Sequence, residues 1–90
     1  MINYYRVAFS SGVIIELIKP KLTSRDYHNI LEELIFSSDL NQDQRAAASV
    51  YCNNSRIAII ELITWEDGTA DIYIYGQKVR ELYKEGRTLR

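Results

Sequence analysis

Four residues hold the groups with which this chain could do chemistry. His28 is the single histidine and Cys52 the single cysteine. Glu16 and Glu61 each interrupt an apolar run, Ile-Ile-Glu-Leu-Ile, that occurs twice, at 14–18 and 59–63. A thiol and an imidazole could form a nucleophile–base pair if the fold brought them together. Two carboxylates in a dry setting could share acid–base work or a cation. Each possibility has an ordinary counterpart. A histidine beside the apolar stripe of a surface helix is usually half-exposed, and a lone cysteine next to Val50 and Tyr51 packs as a small hydrophobe. Glutamates in strands of a sheet open on one side point to solvent, where Arg6 and Arg56 could face them across strands.

Motifs with a defined mechanism are missing. The four glycines are scattered, so no phosphate loop forms, and there is no nucleophile elbow, paired-histidine motif or calcium loop. One cysteine permits neither an internal disulfide nor a multi-cysteine zinc site. No enzymatic activity, metal or cofactor is therefore expected.

Charge narrows the partners. Lysine and arginine number 11 against 12 acidic residues, a formal net charge of −1, and the pI is about 5.8. A dedicated nucleic-acid binder has a basic excess that this chain lacks. The distribution is uneven, however. Residues 26–43 are acidic, whereas Lys78, Arg80, Lys84, Arg87 and Arg90 make the end basic. On a last helix, Arg80, Lys84 and Arg87 would form one stripe, which with Arg90 could meet a phosphate backbone or another anionic partner. Seven tyrosines and one tryptophan favour a protein interface, because tyrosine offers a rigid apolar body with a polar tip. Tyr4 and Arg6 share one face of the first strand. Asp71, Tyr73 and Tyr75 share one face of a later strand, and these five are the candidate partner-binding residues.

The elements that must position these groups follow from periodicity. At 90 residues, with 47 % hydrophobic and 26 % charged residues, the chain is sized for a single domain, 1–90, with a small stability margin that a dimer or partner would increase. Residues 3–9 and 13–18 read as strands around Ser10-Ser11-Gly12, and Pro20 ends the second. The second has apolar residues on both faces, which predicts a central or doubly covered strand. Residues 24–36 read as a helix: Tyr27, Ile30, Leu31, Leu34 and Ile35 make one apolar stripe, with Thr23 as N-cap, Asp26 completing a capping box, and Leu22 and Tyr27 as a staple. Asn41, Gln44 and Ala46-Ala47-Ala48 predict a second helix to about Cys52. The rival is a strand from Ala47 to Cys52 turning at Asn53-Asn54-Ser55. Residues 56–65 and 69–75 read as a hairpin around Glu66-Asp67-Gly68, and 77–85 as a helix with Val79, Leu82 and Tyr83 inward and Gly86 as its stop.

The expected fold class is α+β: a four-stranded antiparallel sheet from two β-hairpins with two or three helices on one face, in the order ββα(α)ββα. Residues 1–9 lack the features of a signal peptide and no apolar run approaches a membrane span of ~20 residues, so a cytoplasmic location is expected. The expected function is a small non-enzymatic protein-binding module that regulates or stoichiometrically inhibits a larger protein complex. A phage or mobile element would use such a protein against a host defence complex. The alternative is nucleic-acid binding through the basic end, and homodimerisation is compatible with either.

Overall fold

A computed structural model describes residues 1–38, 42–76 and 87–89. Five strands of six or more residues form one antiparallel sheet: β1 Asn3–Phe9, β2 Ile14–Lys19, β3 Gln44–Cys52, β4 Ser55–Thr64 and β5 Ala70–Tyr75. A three-residue strand, β6 Arg87–Leu89, pairs beyond β5, so the spatial order is β2-β1-β3-β4-β5-β6. One helix, α1 Ser24–Phe36, lies across one face over β3 and β4. Both β2 and β3 run antiparallel to β1, so they are parallel to each other, and α1 is the crossover that carries the chain over β1.

Each hairpin is closed by residues its turn demands. Phe9 and Val13 close the turn between β1 and β2 around Ser10, Ser11 and Gly12, with the Phe9 N–H donating to the Val13 carbonyl at 2.9 Å and the Gly12 N–H to the Phe9 carbonyl at 2.9 Å. β4 and β5 repeat that construction around Gly68, and both glycines take positive φ, 98° and 84°. β3 and β4 join through Asn53 and Asn54 at φ 48° and 70°, the left-handed pair that a two-residue hairpin needs and asparagine tolerates. Gly76 ends β5 at φ 129°, where a Cβ would lie 2.8 Å from the Ile57 carbonyl oxygen and 2.9 Å from Ala58 Cβ.

The core lies between α1 and the sheet. Tyr27, Ile30, Leu31 and Leu34 of the helix are buried against alternate residues of the strands, including Val7, Val50, Ile60, Leu62 and Ile74. Ala48 and Ala58 are buried on the strands that α1 crosses, where small side chains let the helix approach. The capping box forms as expected. The Thr23 N–H donates to Asp26 Oδ2 at 2.7 Å, and the Asp26 N–H to Thr23 Oγ1 at 3.3 Å. The Thr23 hydroxyl at 2.9 Å and Lys19 Nζ, at the end of β2, at 2.7 Å also donate to that carboxylate. Burial would raise the Asp26 pKa, but these hydrogen bonds outweigh it and hold the carboxyl below its usual value.

Three expectations need correction. Residues 44–52 form a strand, as in the rival reading. Ala48 and Val50 are buried and Ser49 and Tyr51 are only half so, and pairing on both sides overrides the weak helix preference of the alanines. β2 is an edge strand, neither central nor doubly covered: its odd residues are half-buried toward α1, and Ile14, Glu16 and Ile18 are exposed. The sheet has more strands than four, and the described residues hold one helix. Arg87 belongs to β6, opposite Ile72, so it does not continue a helical stripe. The rest of the expected last helix (77–85, with Lys78, Arg80 and Lys84), Gly86 and Arg90, and the Asn41 cap, lie outside the described residues.

Candidate functional site

The sheet has a second face, turned away from α1, and no described element covers it. The pleat sends alternate residues there: Tyr4, Arg6 and Ala8 from β1, Ala47, Ser49 and Tyr51 from β3, Ile59, Glu61 and Ile63 from β4. All five residues singled out from sequence lie on this face, but in two groups. Tyr4 and Arg6 are on β1; Asp71, Tyr73 and Tyr75 are on β5. β3 and β4 separate them, three strand spacings or roughly 14 Å.

On the β1 side, Arg6 lies in register between Glu16 and Tyr51. Its guanidinium stacks over the Tyr51 ring at 4.6 Å from the centroid, a cation–π contact. Tyr4 Oη donates to Glu16 Oε2 at 2.9 Å. That bond, then burial and the carboxylate charge, raises the Tyr4 pKa against an opposing effect of Arg6. On the β5 side, the Trp65 indole Nε1 donates to Asp71 Oδ2 at 3.1 Å. Between the groups, Arg45 Nε meets Glu61 Oε2 at 3.0 Å. Each of these charges is therefore met by a neighbour on the face itself. The sequence reading missed Arg45 as the partner of Glu61, having offered Arg56, which instead faces Tyr51. It also missed Tyr51 and Trp65. Reading 47–52 as a strand would have placed Tyr51 beside Arg6.

The four residues considered for catalysis are not assembled into a site. His28 Nε2 is 2.7 Å from Glu32 Oε1 on the exposed side of α1. Cys52 pairs in register with Tyr5, on the α1 side of the sheet. The Tyr5 hydroxyl is pushed up in pKa first by burial and then by its hydrogen bond with Cys52. Glu16 and Glu61 share a face, but β1 and β3 lie between their strands, a separation of at least roughly 14 Å. Glycosidase-type carboxylate pairs work at about 5–9.5 Å. Among the described residues no cluster of three or more His, Cys, Asp or Glu side chains is arranged to hold a metal ion. No helix of the described residues is long and apolar enough to cross a membrane.

No protein family, curated protein or solved structure matches this chain.

Proposed function

We propose that the chain is a non-enzymatic protein-binding module that regulates or stoichiometrically inhibits a larger protein by occupying its surface with the sheet face opposite α1. One observation carries this reading: Tyr4, Arg6, Asp71, Tyr73 and Tyr75 share a face on which Arg6, Glu16, Arg45, Glu61 and Asp71 each have a partner. A face of tyrosine and isoleucine whose charges are met by an ion pair, a cation–π stack and hydrogen bonds can be covered by a protein at little cost in stranded charge. A phosphate backbone would instead require unpaired cations. Occupancy of this kind needs no catalytic group, and a phage- or mobile-element-encoded inhibitor of a host defence complex would work in this way.

The test is capture of a partner from native lysate by the tagged chain, with and without nuclease, beside Tyr75→Glu. Tyr75 is 43 % exposed, so the substitution leaves the core alone. A stoichiometric protein that survives nuclease and is lost with Tyr75→Glu supports the reading. Recovery that disappears with nuclease transfers the function to nucleic acid and the basic residues Arg80, Lys84, Arg87 and Arg90. Capture untouched by Tyr75→Glu removes this face from consideration.

A further inference from the structure

The repeated pentapeptide occupies two unlike places. In β4, residues 59–63 have β3 on one side and β5 on the other. In β2, residues 14–18 have β1 on one side and no described strand on the other. The ladder fixes which backbone groups face outward. The Phe9 N–H donates to the Val13 carbonyl, whereas Ser10 N–H and the Tyr4 carbonyl bond toward the β3 side, to the Ala47 carbonyl and Asn53 N–H. Odd residues of β1 thus bond toward β2, and even ones toward β3. By antiparallel alternation, Ile15 and Leu17 are bonded to β1, and Ile14, Glu16 and Ile18 direct their N–H and C=O groups away from the sheet. Ile14 and Ile18 are also 55 % and 75 % exposed. Among the described residues no strand pairs with these outward groups, and an edge that combines them with exposed isoleucines is a template for another strand.

We propose that the strand it receives is β2 of a second copy, running antiparallel about a two-fold axis at Glu16, so that both sheets become one. The pentapeptide reads nearly alike in both directions. A two-fold at Glu16 sets Ile14 opposite the second copy's Ile18 on one face and Ile15 opposite its Leu17 on the other, as an isologous contact requires. The charges balance across the seam. Arg6 is in register with Glu16, so the row across the junction runs arginine, glutamate, glutamate, arginine, with no net charge. The usual guards of an edge, lysine and proline, do not block its middle: Lys19 is held by Asp26, and Pro20 lies past the end of the strand. The contact is one short strand and four isoleucines, at the small end of specific interfaces, so the dimer is a weak one whose population rises with concentration. It leaves the face proposed for a target free and presents two of them side by side, and it stands whether or not that face binds a target.

Sedimentation velocity of the intact chain across a concentration series tests this, with Ile18→Lys and Glu16→Gln in parallel. The wild type shifts from monomer toward dimer as concentration rises. Ile18→Lys weakens association at least tenfold while its denaturation midpoint stays that of the wild type. Glu16→Gln tightens association by about two- to fivefold, because like charges directly opposite destabilise a strand pair. In a mixed-label sample, methyl contacts join Ile14 of one copy to Ile18 of the other. A monomer at every concentration overturns the proposal. So does a dimer indifferent to Ile18→Lys, or one whose intermolecular contacts lie off β2. A monomer that instead loses a captured protein on Ile18→Lys also overturns it, and assigns the edge to a foreign strand.

Discussion

The same five residues, Ile-Ile-Glu-Leu-Ile, lie at an edge in β2 and near the centre in β4. In both copies the glutamate and its flanking isoleucines take the face away from α1, and the inner isoleucine and leucine take the face toward it. The pattern of alternation therefore determines facing in each case. Depth differs: Ile60 and Leu62 are fully buried, whereas Ile15 and Leu17 are half-buried. Glu61 is paired with Arg45 at 3.0 Å, while Glu16 takes a tyrosine hydroxyl. Composition of a strand thus sets which side each residue turns to, and neighbours in space set how much water it loses.

That contrast can be broken most sharply by truncation. Leu62→Ala should cost about 2–5 kcal/mol, and Leu17→Ala, the matching residue in β2, less than half as much. Equal losses in chemical denaturation would mean that β2 is as enclosed as β4. Gly76→Ala tests what anchors the far side of β4. With φ at 129° and a Cβ at 2.8 Å from the Ile57 carbonyl oxygen, it should destabilise by about 1–3 kcal/mol, read as a lowered denaturation midpoint. Asp26→Asn tests what holds the end of β2 to the helix, and should cost about 0.5–2 kcal/mol through the capping box. Because the Asp26 pKa is lowered in the folded state, its contribution is complete above the unfolded carboxyl value of about 3.9. It is lost as pH falls through the folded value. The difference in stability between wild type and Asp26→Asn should therefore shrink on acidification. The smallest effect belongs to Arg45→Ala. Arg45 is largely exposed, so the ion pair with Glu61 should be worth about 0–1 kcal/mol, and a larger loss would show that the face is drier than its exposure indicates.

Where local signals agreed, the fold was legible in the sequence. The helix at 24–36, its Thr23–Asp26 box and the turns at Gly12 and Gly68 each follow from residues adjacent in the chain. Reading failed where the deciding partner is distant. Ala46-Ala47-Ala48 favours a helix by itself, and only β1 and β4 on either side make it a strand. Val13 to Ile18 reads as a buried strand because its residues are apolar, and nothing within it reveals that no described strand lies on one of its sides. For the candidate face, Tyr4, Arg6, Asp71, Tyr73 and Tyr75 were found by alternation within single strands. Tyr51, Trp65 and the Arg45–Glu61 pair were missed because their significance depends on a register between strands.

The insertion of β1 between β2 and β3 has a consequence for the order of assembly. The Tyr4 N–H donates to Asn53 Oδ1 across 49 positions, and Phe9 pairs with Ala48. As the chain is synthesised, the first hairpin and α1 emerge with only Val7, Phe9 and Ile15 on which to lay Tyr27, Ile30 and Leu34, since β3 and β4, the strands under the helix, come afterwards. Closing that long loop precedes any reward from packing, which slows a fold relative to one built from local contacts. The nascent first half must therefore keep an apolar helix stripe and two open strand edges out of trouble until residue 64 has left the ribosome.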